Sequence, residues 1–182
     1  MSEEPAAKKA KTGWENHKCN ASEALMKANE GMHFDEIIKS PVSVLQGIGP
    51  MHTEVSAALK ITTVEELATY KFYLIAKSLK TMAGVETKDG RLPDSVMNVD
   101  EAVDKDAEAK TFTEMIESPI HILQGLTPEA EALFARMDVK SVGDLADWKY
   151  AHWAEAMVEL SKYEFTKTET ERKLERELKA LS

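Results

Sequence analysis

FDEIIKSPVSVLQGIGP (34–50) and FTEMIESPIHILQGLTP (112–128) are one pattern written twice. The offset is 78 residues, and it holds without a gap from Asn20/Asn98 to Glu86/Glu164. Of the 67 aligned pairs 21 are identical, among them Pro41/Pro119, Leu45/Leu123, Gly47/Gly125, Pro50/Pro128, Leu67/Leu145 and Lys71/Lys149. Other pairs exchange one apolar residue for another, as in Val42/Ile120, Val44/Ile122, Ile61/Val139 and Leu79/Met157. Unrelated helical stretches do not keep an apolar pattern in register over that length. The chain reads as a tandem duplication.

Each unit reads as a string of short helices, so the expected fold class is all-α. Asn20 or Ser22 can cap a first helix in unit 1, which Gly31 ends, and Asn98 can cap its counterpart in unit 2. A second helix is expected over 33–40 and 111–118. Pro41 and Pro119 turn the chain, because the residue before proline disfavours helix. A short apolar segment and a tight glycine turn follow. Helices are then expected over 51–60 and 129–138. Thr62 or Thr63, and Ser141, cap a further short helix, and the last helix covers 71–83 and 149–163.

The apolar positions shared by both units give two expected cores. They are Ile38, Leu45, Val55, Leu59, Ile61, Val64, Leu67, Ile75 and Leu79, with Ile116, Leu123, Leu133, Val139, Val142, Leu145, Trp153 and Met157. The expected layout is a flexible tail over 1–19, unit 1 over 20–86, a linker over 87–97, unit 2 over 98–164 and a C-terminal helix over 165–182. In that last segment Leu174, Leu178 and Leu181 form one narrow apolar stripe, beside favourable charge pairs such as Glu169–Lys173. The helix is expected to dock one edge, either as a cap on unit 2 or on a partner.

Composition narrows the function. The 182 residues are 43% hydrophobic and 30% charged, the balance of a globular protein. No apolar run reaches the ~20 residues of a membrane span, so no membrane role is expected. The N-terminus lacks the apolar stretch of a secretory signal. A lone cysteine, Cys19, cannot make an internal disulfide, which suits a reducing, intracellular compartment. Lys8, Lys9 and Lys11 fit either a nuclear import signal or a solubilising tail. The net charge of −9 argues against a protein that coats nucleic acid, since that needs clustered Lys and Arg.

VLQGIGPMHTEVSAALKI (44–61) has the form hydrophobic–x–Gly–hydrophobic–Gly–x, then an amphipathic helix. With the following TTVEELATYKFYLIAKSL (62–79) it resembles a helix-hairpin-helix module. The whole unit resembles the N-terminal domain of RecA-like recombinases and the acidic repeats of a bacterial transcription elongation factor. The resemblance covers about 45 residues of each unit. It implies a hairpin that grips one nucleic-acid phosphate without reading bases. The candidate phosphate-binding residues are Gly47, Ile48, Gly49 and His52, with Lys39 and Lys60 as added cations. Amides at a helix N-terminus, helped by the dipole, would hold the anion. In the other reading the glycines only let two helices approach. Lys39, Lys60, Lys71, Lys77 and Lys80 form either a weak basic face or ordinary solvated positions, with Glu54, Glu65 and Glu66 among them.

Unit 2 departs from the pattern. Thr127 replaces the second glycine, and Glu129 and Glu131 follow at once. Threonine can cap the helix, and the carboxylates would repel a phosphate. Residues 34–86 carry five basic and six acidic side chains, whereas 112–164 carry four basic and ten acidic. A structural or protein-binding role suits unit 2. Tyr70, Phe72, Tyr73, Trp148, Tyr150 and Trp153 are expected to pack between helices rather than stack on bases.

The five histidines have no ligand spacing beyond His17-x-Cys19, so no metal site is expected. Phosphate-loop, nucleophile-elbow and zinc-protease motifs are absent, and no catalytic residue or cofactor is expected. The sequence points to a non-enzymatic interaction protein with a protein partner. The alternative is weak, sequence-independent binding of DNA or RNA through the first hairpin.

Overall fold

The computed structural model describes residues 20–95, 99–167 and 169–181. The expected tail with Lys8, Lys9, Lys11, His17 and Cys19, and the Asn98 cap, lie outside the described residues.

The fold is all-α, and no strand occurs among the described residues. The first half holds α1 (Phe34–Ile37), α2 (Pro50–Ala58), α3 (Val64–Ala68) and α4 (Lys71–Ala83). The second holds α5 (Phe112–Glu117), α6 (Pro128–Ala135), α7 (Val142–Ala146) and α8 (Lys149–Ser161), followed by α9 (Glu169–Ala180). Each element of the second half begins 78 residues after its counterpart. The 3-10 turns Val42–Val44 and Ile120–Ile122 obey the same offset.

Side-chain caps set the helix starts. Thr63, not Thr62, caps α3: its hydroxyl accepts from the Glu66 amide at 3.2 Å, and the Glu66 carboxylate accepts from the Thr63 amide at 3.1 Å. Ser141 and Asp144 repeat this box at α7, as do Thr111 and Glu114 at α5. Reciprocal bonds of this kind satisfy two amides that a helix start leaves open.

The expected first helix does not form. Residues 20–31 contain turns and one 3-10 turn, Lys27–Asn29. Leu25 pairs instead with Leu45 in an isolated antiparallel bridge, with the Met26 amide on the Val44 carbonyl and the Gln46 amide on the Ala24 carbonyl. Val103 and Leu123 do the same in the second half. Full burial of Leu25 and Val103 in these bridges outweighs the helix propensity of the flanking residues.

Packing does not follow the boundary between the halves. α4 packs on α5 and α7, and α8 packs on α1 and α3. Each half thus lends its last helix to the other. The expectation of two cores is corrected: the buried residues form one cluster drawn from both halves. Ile75, Ile116, Leu133 and Trp153 are only partly buried at its edge, while Tyr73 and Phe134 are fully enclosed. Phe134 contacts Tyr70 and Trp148, with ring centroids 6.0 and 5.8 Å apart. The aromatics therefore serve inter-helix packing.

Hydrogen bonds follow the same exchange. Glu86, just beyond α4, accepts from the amides of Phe112 and Thr113 at the start of α5, at 2.7 and 3.0 Å. Glu164, 78 residues later, accepts from the Phe34 amide at 2.6 Å and meets His33 Nδ1 at 3.1 Å at the start of α1. Where α4 and α8 meet, Lys77 Nζ lies 2.6 Å from both Glu155 carboxylate oxygens. The Tyr73 hydroxyl donates to Glu155 at 2.7 Å and lies 3.2 Å from His152 Nδ1. Lys80 pairs with Asp147, so two of the five lysines of the expected basic face are neutralised by the second half.

The C-terminal helix does not cap the second half. Leu174, Leu178 and Leu181 of α9 and its flank are 57%, 59% and 86% exposed. Among the described residues no helix is long and apolar enough to cross a membrane.

Candidate functional site

The first-half hairpin is built from an extended residue, a left-handed glycine and a helix start. Leu45 ends the Val42–Val44 turn in extended backbone, and the Ile48 amide returns to its carbonyl at 3.2 Å. Gly47 has φ +92°, a region that side chains avoid, and Gly125 has φ +89° at the same place in the second half. Gly49 differs. Its φ of −83° and ψ of −179° are ordinary extended values, and Thr127 adopts φ −83° there in the second half. The backbone therefore requires the first glycine of the motif and not the second.

Gly49 precedes Pro50, whose missing amide costs nothing at the first helical position. The Thr53 amide bonds back to the Gly49 carbonyl at 3.0 Å. No capping side chain and no acidic residue stand at the start of α2. The amides of Met51 and His52 therefore face outward without a carboxylate or hydroxyl from that turn. In the second half Thr127 Oγ1 accepts from the Ala130 amide at 3.3 Å. The Glu129 carboxyl is held below its ordinary range by its own amide and the Thr127 hydroxyl. Glu131 is engaged by His121 Nδ1 at 3.0 Å. The first hairpin has no capping side chain or first-turn carboxylate; the second has both.

The second half reaches over the first hairpin. The Tyr150 hydroxyl of α8 lies 2.8 Å from where a Cβ on Gly47 would stand. The His52 ring meets the Tyr150 ring edge-on at 5.9 Å. Lys149 Nζ sits 4.8 Å from the Tyr150 ring centroid and 5.4 Å from that of Trp153. Gly47 and His52 are thus joined by Tyr150, which the sequence reading assigned to packing alone, and Lys149 lies against the Tyr150 and Trp153 rings. Lys149 was legible in the repeated pair Lys71/Lys149, but its place depends on the helix exchange.

The two expected cations do not converge on this mouth. Lys39 lies on the flank of α2, in a groove shared with Thr53, Ala57 and Ile61. Lys60 follows the far end of α2 at φ +62°, roughly 15 Å along the helix axis from Gly49. Among the described residues no group of three or more His, Cys, Asp or Glu side chains forms a metal-binding cluster. A separate cavity of about 260 Å³ lies between the end of α4, the linker and α5, lined by Met82, Glu86, Arg91, Leu92 and Phe112.

Comparison with protein-family models, with curated proteins and with solved structures finds no match. The residues themselves carry the functional argument.

Proposed function

We propose that this chain is a non-enzymatic interaction protein, an all-helical body built from a duplicated helix-hairpin-helix-like unit that presents α9 to a protein partner. The supporting observation is the exposed leucine stripe of α9. At 100° per residue, Leu174, Leu178 and Leu181 span about 60° of the helix surface. Glu171 and Glu177 border the stripe and Glu175 stands next to it, engaged by Lys167. Arg172, Arg176 and Lys179 lie on the opposite side. An isolated helix of this length is marginal in water, so a partner that covers the stripe would stabilise it. The flanking glutamates select the partner's chemistry: an amphipathic helix whose apolar stripe is edged by Lys or Arg. A second α9 would set glutamate against glutamate.

A fluorescent helical peptide with a leucine stripe edged by lysine tests this, beside the same peptide edged by glutamate. The full chain should bind the lysine peptide and not the other, and a Leu174→Asp/Leu178→Asp variant should bind neither. Equal binding of both peptides, or no loss in the variant, would overturn the assignment.

A second reading is favoured by the uncapped start of α2: weak, sequence-independent nucleic-acid binding through the first hairpin. The amides near Gly49 hold one phosphate, and His52 and Lys149 add one or two contacts. Each neutralised phosphate contributes about one unit of slope, so log affinity should fall with log salt at about −1 to −3. Fluorescence anisotropy of the full chain with a labelled duplex measures this. Gly49→Glu and Lys149→Glu should each weaken binding; unchanged binding in Gly49→Glu removes the reading. Nuclear import through Lys8, Lys9 and Lys11 belongs to the same proposal. It predicts loss of nuclear fluorescence when the three lysines of a tagged chain become alanine.

A further inference from the structure

The helix packing and the carboxylate caps between the halves are reciprocal, and no contact between the halves needs them to belong to one chain. α4 on α5 and α7 repeats as α8 on α1 and α3. Glu86 on Phe112 repeats as Glu164 on Phe34. We propose that two copies of this chain exchange halves, the first half of one closing on the second half of the other, and that Lys77 facing Glu155 restricts each half to its complement.

An exchanged dimer contains every inter-half contact of two monomers. It differs only in the association entropy and in the path of the segment between α4 and the 3-10 turn at Lys105. That segment has about 20 residues and spans up to roughly 65 Å when extended, enough to run from one body to another. Pairing of like halves is disfavoured on two counts. Two first halves would set Lys77 against Lys77, and two second halves Glu155 against Glu155. Tyr73 is fully buried, and its counterpart 78 residues on, Ala151, is also buried. Two first halves would bring two tyrosines to this junction; two second halves would bring two alanines and a void. In the exchanged dimer the Gly47 hairpin of one copy receives Tyr150 from the other, so the candidate site is preserved and shared between chains.

Charge reversal in the full chain tests this. Within one chain, Lys77→Glu sets two carboxylates against each other at this junction, and Glu155→Lys sets two ammonium groups there. When the two variants are mixed, unfolded in urea and refolded together, one junction of an exchanged dimer regains the native pair, Lys77 on Glu155, and the other holds the same pair reversed. That other junction joins the Lys77→Glu carboxylate to the Glu155→Lys ammonium, so both carry opposite charges. The dimer-to-monomer ratio of the mixture should exceed that of wild type by on the order of 100-fold. Light scattering after size exclusion should show twice the chain mass, and native mass spectrometry should show one copy of each variant. In wild type and in the double variant Lys77→Glu/Glu155→Lys the monomer should predominate at micromolar concentration, with the same minor fraction of exchanged dimer in each, because the linked half has the higher effective concentration. If a variant alone fails to fold, mixing should restore its helical circular dichroism. A mixture that stays monomeric with both variants folded, a random composition of dimers, as much dimer from the double variant, or no recovery of helix on mixing would each overturn the proposal.

Discussion

Lys77 and Glu155 hold the same position in the two halves, and their side chains meet, with Nζ 2.6 Å from each carboxylate oxygen. In a symmetric pairing of identical units, a residue on the axis would face itself. Here the counterparts have diverged to opposite charge, and Tyr73 adds its hydroxyl to the same carboxylate.

Glu155 should therefore matter more than Lys77. Glu155→Ala removes the carboxylate acceptor from the buried Tyr73 hydroxyl, leaving it His152 Nδ1 at 3.2 Å, and should cost about 1–3 kcal/mol. Lys77→Ala removes one partly exposed ion pair and should cost less than about 1 kcal/mol. Urea denaturation of the two variants measures the difference; equal losses would show that the tyrosine bond contributes nothing.

The crossed caps give a second prediction. Glu86→Ala and Glu164→Ala should each destabilise the protein by about 0.5–2 kcal/mol, as loss of an N-terminal cap does. Amide hydrogen exchange should then quicken at Phe112 and Thr113 in the first variant and at Phe34 in the second. Faster exchange confined to the mutated half would contradict the crossing.

Acid should weaken the fold through these same carboxylates. Burial pushes the Glu155 carboxyl up, but the bonds from Lys77 and Tyr73 and the charges of Lys77 and His152 hold it below its ordinary 4.5. Burial likewise pushes the Glu86 carboxyl up, but the bonds it accepts from the Thr113 and Phe112 amides and the Thr113 hydroxyl outweigh that and hold it below its ordinary value. A group with a depressed folded pKa contributes stability above its unfolded value and loses it as pH falls through the folded one. The melting temperature should be level above about pH 5 and fall steadily below about 4.5, and Glu86→Gln should flatten that fall.

Gly47 and Gly125 share a left-handed backbone but not surroundings. An added Cβ on Gly47 meets the Tyr150 hydroxyl, whereas Gly125 has nothing within 4 Å. Gly125→Ala should cost about 1–2 kcal/mol for the backbone alone, and Gly47→Ala more. Tyr150→Phe should bring the cost of Gly47→Ala down to that of Gly125→Ala. A double-mutant cycle by thermal melting reads this directly.

Leu67 and Leu145 are buried counterparts in a single core. Either Leu→Ala change should cost about 2–5 kcal/mol. Each variant should still unfold in one transition when circular dichroism and tryptophan fluorescence are followed together. Two separate transitions would mean that the halves unfold independently.

Much of the secondary structure was legible because its causes are local. Prolines at 41 and 119, left-handed glycines at 47 and 125, and capping boxes at Thr63 and Ser141 act within four residues. The turn at 20–31 was misread because Leu25 is satisfied by Leu45, twenty residues away, and helix propensity is silent about such a partner. The hairpin was found from its glycines, yet the cations were assigned by sequence proximity. Lys60 sits at the wrong end of α2, while the residue that meets the hairpin, Tyr150, comes from the other half. Periodicity shows which face of α4 is apolar but not which half that face covers. The choice depends on complementary pairs such as Tyr73 with Glu155, visible only once both helices are placed.

The crossing of the last helices has a consequence for synthesis. Most all-helical proteins have low contact order and can fold segment by segment as they leave the ribosome. Here α1 waits for α8, and His33 is bound by Glu164, 131 residues later. At ordinary translation rates that interval is on the order of 10 s. Throughout it the faces of α1 and α3 that α8 covers stand open. Until the second half emerges those faces are exposed to aggregation, and a truncated product ending before α8 would keep them so.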